Sequence, residues 1–240
     1  MLIAAAICPH PPLLIPEVSG RSGPGDAELD RLRTACRQAV AALAAERPDL
    51  IAVVGGAPRT EEYPPDAAAS LAEFGVPFPG DGPPGAPVLP LSLSIGKWLL
   101  ASARESSGPV HPQVTWWGIA ADAPAGECLE LGEKIAALAP RVALLAMGDG
   151  PGRRACGAPG AADAAADRYD GQVAAALAAP SPGALAALDP ARDPELFIAG
   201  RAAWQVLAGA AGQDDFGAAL GYAAAPFEVT YFVATWWRAH

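Results

Sequence analysis

The stretch that most limits the fold is Leu2-Ile-Ala-Ala-Ala-Ile7, an apolar run cut off by Cys8-Pro-His-Pro-Pro12. So short a run ended by proline predicts a buried strand, because an ordinary helix is longer. Pro9, Pro11 and Pro12 fix the backbone and remove their amide donors, so the turn is stiff. A histidine held rigidly where a buried strand ends is one way an α/β protein presents a functional group. The same residues also suit a plain tight turn whose histidine caps a neighbour, and the sequence leaves both readings open.

Leu29, Leu32, Cys36, Val40 and Leu43 recur at helical steps and predict a helix over residues 26–46, stopped by Pro48. Residues 50–54 read as a second buried strand that opens into Gly55-Gly56. Further strands are expected over residues 114–120, 142–147 and 227–236. Helices are expected over residues 91–103 and 124–138, with two or three more between 161 and 211. Strands alternating with helices predict a single α/β domain over residues 1–240, with a mostly parallel central sheet and helices on both faces. Residues 57–90 are dense in proline and glycine and show no period, the mark of a functional or flexible segment. Trp116-Trp117 and Trp236-Trp237 alternate across strands, which puts one of each pair in the core and the other at an interface.

Bulk properties narrow the partners. The formal net charge is -10 and the sequence pI about 4.7, which excludes the basic footprint of a nucleic-acid or anionic-membrane binder. At 52% hydrophobic and 18% charged residues the chain has ample material for a core. Cys8, Cys36, Cys128 and Cys156 form no CxxC, so they are expected to be reduced thiols. The apolar start has no basic leader and is interrupted by Pro9, so neither a signal peptide nor a membrane span is expected. These features predict a cytoplasmic protein and leave a homo-oligomer open, while a small anionic ligand or a protein partner is expected from the strand-end loops and a family resemblance.

In sheets of this class, ligands bind beyond the carboxyl ends of the strands. Three loops are expected there, at residues 8–12, 55–59 and 148–154. Together they offer His10, Glu17, Arg59, Glu61, Asp149, Arg153 and Arg154, a mixed and rather cationic set. Arg153-Arg154 suit a carboxylate or phosphate clamp aided by loop amides, and suit a solvated basic pair equally well. Asp149, between two glycines, reads as a ligand or as the anchor of an Asx-type turn. Cys8 beside His10 raises a thiol nucleophile, although neighbours at a strand end point apart.

Cys8-Pro-His-Pro-Pro-Leu-Leu-Ile-Pro-Glu17 resembles the opening of LigB-type class III extradiol ring-cleavage dioxygenases and their Memo-like relatives. Leu50-Ile-Ala-Val-Val-Gly-Gly56 is similar to that family's second strand and loop. Leu144-Leu-Ala-Met-Gly-Asp149 is similar to its strand ending in Gly-Asp. Ile198-Ala-Gly-Arg-Ala-Ala-Trp-Gln-Val-Leu207 resembles a late helix start in the Memo branch. The resemblance implies a non-haem Fe(II) centre built from two histidines and a carboxylate, leaving open positions for a catecholate and dioxygen. A further histidine would then act as acid/base. His10 matches the first ligand, but Gly55-Gly56-Ala57-Pro58 supplies no second histidine, and Gly150, Pro151 and Gly152 stand where the acid/base histidine belongs. Ala199 and Gly200 occupy the late helix's ligand position, and the remaining histidines are His111 and His240. The resemblance therefore implies either a family member that has lost the standard iron site or one whose site is rebuilt. The rebuilt set would hold Fe(II) or another divalent metal with His10, Glu61 or Glu62, Asp149 and Glu228. A structural subunit of a larger complex is the third expectation.

Overall fold

The computed structural model describes residues 1–20, 26–76, 83, 85–104, 112–152 and 161–239. The first buried run forms β1 (Leu2–Cys8), and Pro12–Leu14 and α1 (Pro16–Ser19) carry the chain away from it. Then follow α2 (Asp26–Ala45), β2 (Leu50–Ala57), β3 (Glu61–Tyr63) and α3 (Leu91–Arg104). The middle of the chain gives β4 (Gln113–Ala120), α4 (Ala125–Ala136) and β5 (Val142–Met147). Four helices come next: α5 (Ala161–Ala178), α6 (Pro182–Ala186), α7 (Arg192–Leu196) and α8 (Arg201–Ala211). The chain closes with β6 (Phe216–Ala224) and β7 (Tyr231–Arg238).

Among the described residues seven strands join one sheet in the order β3-β4-β2-β5-β1-β7-β6. Its centre is parallel: β4, β2, β5 and β1 run the same way, with Cys8 opposite Met147 and Gly55 opposite both Met147 and Gly118. β3 at one edge and the β7–β6 pair at the other run antiparallel. The expected fold class is therefore observed, with a mixed rather than purely parallel sheet. Two of its strands, β3 and β6, are not apparent in the sequence, and Phe227 lies in a 3-10 turn (Pro226–Glu228) ahead of the last strand.

Alternating side chains send the central strands' residues to two separate cores. Ile7, Val54 and Leu144 pack on one face with Trp204, Val206 and Leu207 of α8 and Val173 of α5. Ala6, Cys8, Val53, Leu145 and Met147 pack on the other with Leu32 and Val40 of α2 and Leu93 and Leu99 of α3. A sheet buried on both faces explains why its strands read as continuous apolar runs. Trp116 and Trp117 are both buried, one in each core, so the expectation that one of them lies at an interface is corrected. Trp236 is buried and Trp237 is exposed, as alternation requires. Among the described residues, no helix is long and apolar enough to cross a membrane.

Candidate functional site

Parallel β1 and β5 end side by side, and the Gly148 amide extends their ladder by donating to the Cys8 carbonyl at 2.9 Å. Beyond that point the prolines leave His10 as the one residue of Pro9–Pro12 with an amide to place. That amide donates to Asp149 Oδ1 at 2.8 Å, tying the two strand ends together through a side chain. The His10 ring lies over the same carboxylate, with Nδ1 3.6 Å from Oδ1. That is ion-pair range but too long for a hydrogen bond. Among the described residues Nδ1 is buried without a hydrogen-bond partner, while the side chain as a whole keeps 12% of its surface exposed.

The turn is stiffened from below by Arg33 of α2, which is buried. Its guanidinium donates to the carbonyls of Leu14 at 2.8 Å and Leu13 at 2.9 Å, and to Ser19 Oγ at 2.7 Å. Cys8 is fully buried and faces Cys36 of α2. Contact with Cys8 and burial push the Cys36 thiol well above its ordinary range, and Cys8, the thiol raised as a nucleophile, has no exposed surface for a substrate to reach.

The start of α8 closes the site from the other core. The Ala199 amide donates to the Asp149 carbonyl at 3.2 Å. A Cβ at Gly148 would overlap the Gly200 Cα, so this strand end must be glycine for the helix to approach. Burial raises the Tyr231 phenol, and the Asp149 charge adds to that. Gly55 is equally constrained, because a Cβ there would stand 2.6 Å from Ser92 Oγ, which itself donates to the Gly56 carbonyl at 2.7 Å. No histidine fits at position 55 without moving α3.

The glycine loop after β5 does not present its amides to a ligand. Gly150 donates to the Thr230 carbonyl and Gly152 to the Leu196 carbonyl, both at 2.8 Å. The anion nest expected from the sequence is therefore closed at these positions. Asp149 accepts from the His10 amide and faces the imidazole, a link between two strand ends and not the local Asx-type turn, for which Pro151 has no amide to donate.

Of the other candidates, Glu17 is exposed in the first turn of α1. Arg59 and Glu61 pair with each other at 2.9 Å on the β3 edge, and the guanidinium holds the Glu61 carboxyl below its ordinary range. β3 is four strand spacings from β1 in the sheet order, or about 19 Å. Glu62 sits beside Glu61 on that strand and is exposed. Glu228 occupies a left-handed turn, φ 67°, just before β7. The rebuilt metal set of His10, Glu61 or Glu62, Asp149 and Glu228 is corrected accordingly. Strands β4, β2 and β5 separate the two glutamates from His10, and among the described residues no three His, Cys, Asp or Glu side chains come together to hold a metal. The family's two-histidine, one-carboxylate set does not fit the donors here, which at the strand ends are His10 and Asp149. Arg153, Arg154, His111, Cys156 and His240 lie outside the described residues.

Two groups were not legible as important. Arg33 reads as an ordinary helix charge. Arg201, in the segment Ile198–Leu207, is completely buried, bonds Gln205 one turn on within α8, and joins that helix to Asp193 and the carbonyls of Ala121 and Ala123.

No family model matches the chain, and no curated protein matches it. Among solved structures it is similar to an uncharacterized protein, JW3007, from Escherichia coli K12. The two superpose with a TM-score of 0.51 at 15% identity, over 98% of this chain and 99% of that one. At this identity the likeness is one of fold alone.

Proposed function

We propose that the chain is a LigB/Memo-like protein that keeps a ligand pocket at the ends of β1, β2 and β5 without the family's standard Fe(II) site. In this reading it binds a small anionic ligand there and is not a ring-cleavage enzyme. The carrying observation is His10, held by its prolines, Arg33 and Asp149, with a buried Nδ1 that has no hydrogen-bond partner. The imidazole lies within ion-pair range of Asp149, and the exposed part of the ring is open to a ligand. A cytoplasmic location belongs to the same reading and rests on the acidic composition and the cysteine spacing.

Acetate is the simplest probe. On titration near pH 6, the His10 ring proton resonances, assigned by their loss in His10→Ala, are expected to shift saturably. Losing one charge-assisted contact should weaken acetate binding about tenfold or more in that variant. Acetate affinity unchanged by the substitution would remove His10 from the site and the reading with it.

A further inference from the structure

Three of the four non-glycine residues with positive φ among the described residues sit beside the glycine loop of this site. They are Phe197 (φ 54°, ψ 47°), Phe227 (φ 55°, ψ 26°) and Glu228 (φ 67°). Left-handed backbone is unfavourable for any residue with a Cβ and is a genuine outlier for one as bulky as phenylalanine. The two rings also return little to the interior, since Phe197 is 54% exposed and Phe227 46%. Each position thus combines backbone strain with exposed apolar surface, where glycine or asparagine would serve the turn better.

Their placement links them to His10. Gly152 bridges Val229 on one side and donates to the Leu196 carbonyl on the other, so the loop threads between the two phenylalanine turns. Phe197 is two residues before Ala199, whose amide holds Asp149, and Phe227 is three before Thr230, whose carbonyl holds Gly150. A Cβ at Gly152 would meet the Phe197 Cβ at 3.4 Å, so glycine leaves the space beside that residue open.

We infer that Phe197 and Phe227 flank the mouth of the pocket and select a ligand whose apolar body lies against their rings while its carboxylate reaches His10. This inference rests on the anion-binding reading above and adds to it the ligand's apolar part. Both rings are about half exposed, so they can be substituted without opening a buried cavity.

The test compares cyclohexanecarboxylate with acetate on the intact chain, because the two acids share a head group and differ in body. The wild-type protein is expected to bind cyclohexanecarboxylate about tenfold or more tightly than acetate. Phe197→Ala/Phe227→Ala should bring that ratio close to one with acetate affinity retained, whereas His10→Ala should weaken both acids together. A ratio that survives the double substitution overturns the inference while leaving the His10 reading intact. Failure of the wild-type protein to bind either acid overturns both. A second variant, Phe197→Gly/Phe227→Gly, should melt no lower than wild type because strain is relieved as contact is lost. A clearly lower melting temperature would make the rings structural and overturn the inference.

Discussion

Replacing Arg201 with alanine is expected to lower stability by about 3–5 kcal/mol, the loss typical of breaking a buried ion pair from one side. The side chain is fully buried, its Nε 2.7 Å from Asp193 Oδ2, and its other nitrogens donate to the Ala123 carbonyl at 2.7 Å, to Gln205 Oε1 at 2.8 Å and to the Ala121 carbonyl. Removing it leaves a carboxylate and several acceptors without their donor in a water-poor interior. Burial already pushes the Asp193 carboxyl up despite the guanidinium, so desolvation offsets much of what the pair gains. The pair's role is thus to fix where α8 begins, between the β4–α4 connection and α7, more than to add net stability. Urea unfolding followed by far-UV circular dichroism checks this; a loss below about 1 kcal/mol, the scale of an exposed pair, would show that Arg201 is not the joint described.

Gly148→Ala is expected to lower stability by about 1–3 kcal/mol, the usual range for overpacking, and to disable the site as well. The new methyl group would overlap the Gly200 Cα and approach Trp204 Nε1 to 3.1 Å. The obstacle is backbone, so the start of α8 must move, and Ala199 carries that movement to Asp149 and thence to the His10 amide. Gly56→Ala is the control, because its methyl group would lie 3.8 Å from the Ala199 carbonyl oxygen, an ordinary contact. Thermal melts and acetate titrations on both variants separate packing from generic loss of glycine. A Gly148→Ala protein as stable as wild type and still binding acetate would contradict the close approach of α8.

Much of this arrangement is legible in the sequence because its signals are local. Leu2 to Ile7 and Val142 to Met147 are uninterrupted apolar runs ended by proline or glycine, and both are central strands whose carboxyl ends meet. Strand order is different, because it is a tertiary property. Glu61 follows β2 closely in sequence, yet its strand pairs with β4 on the side away from β1. Phe216-Gly-Ala-Ala-Leu-Gly-Tyr222 carries no β-branched residue and little strand propensity, and it is a strand because β7 pairs with it. Arg33 and Arg201 look like solvated helix charges until packing buries them. Phe227 falls at the start of the strand expected over residues 227–236, and only the fold shows it and Phe197 in left-handed turns with exposed rings.

The most direct measurement is the iron and divalent-metal content of protein purified without chelators, taken in wild type and in His10→Ala. The proposed site, with His10 and Asp149 but no second histidine at the strand ends, predicts substoichiometric metal that does not change with the substitution. Stoichiometric iron in the wild-type protein, lost in His10→Ala, would contradict it and restore a metal-dependent enzyme.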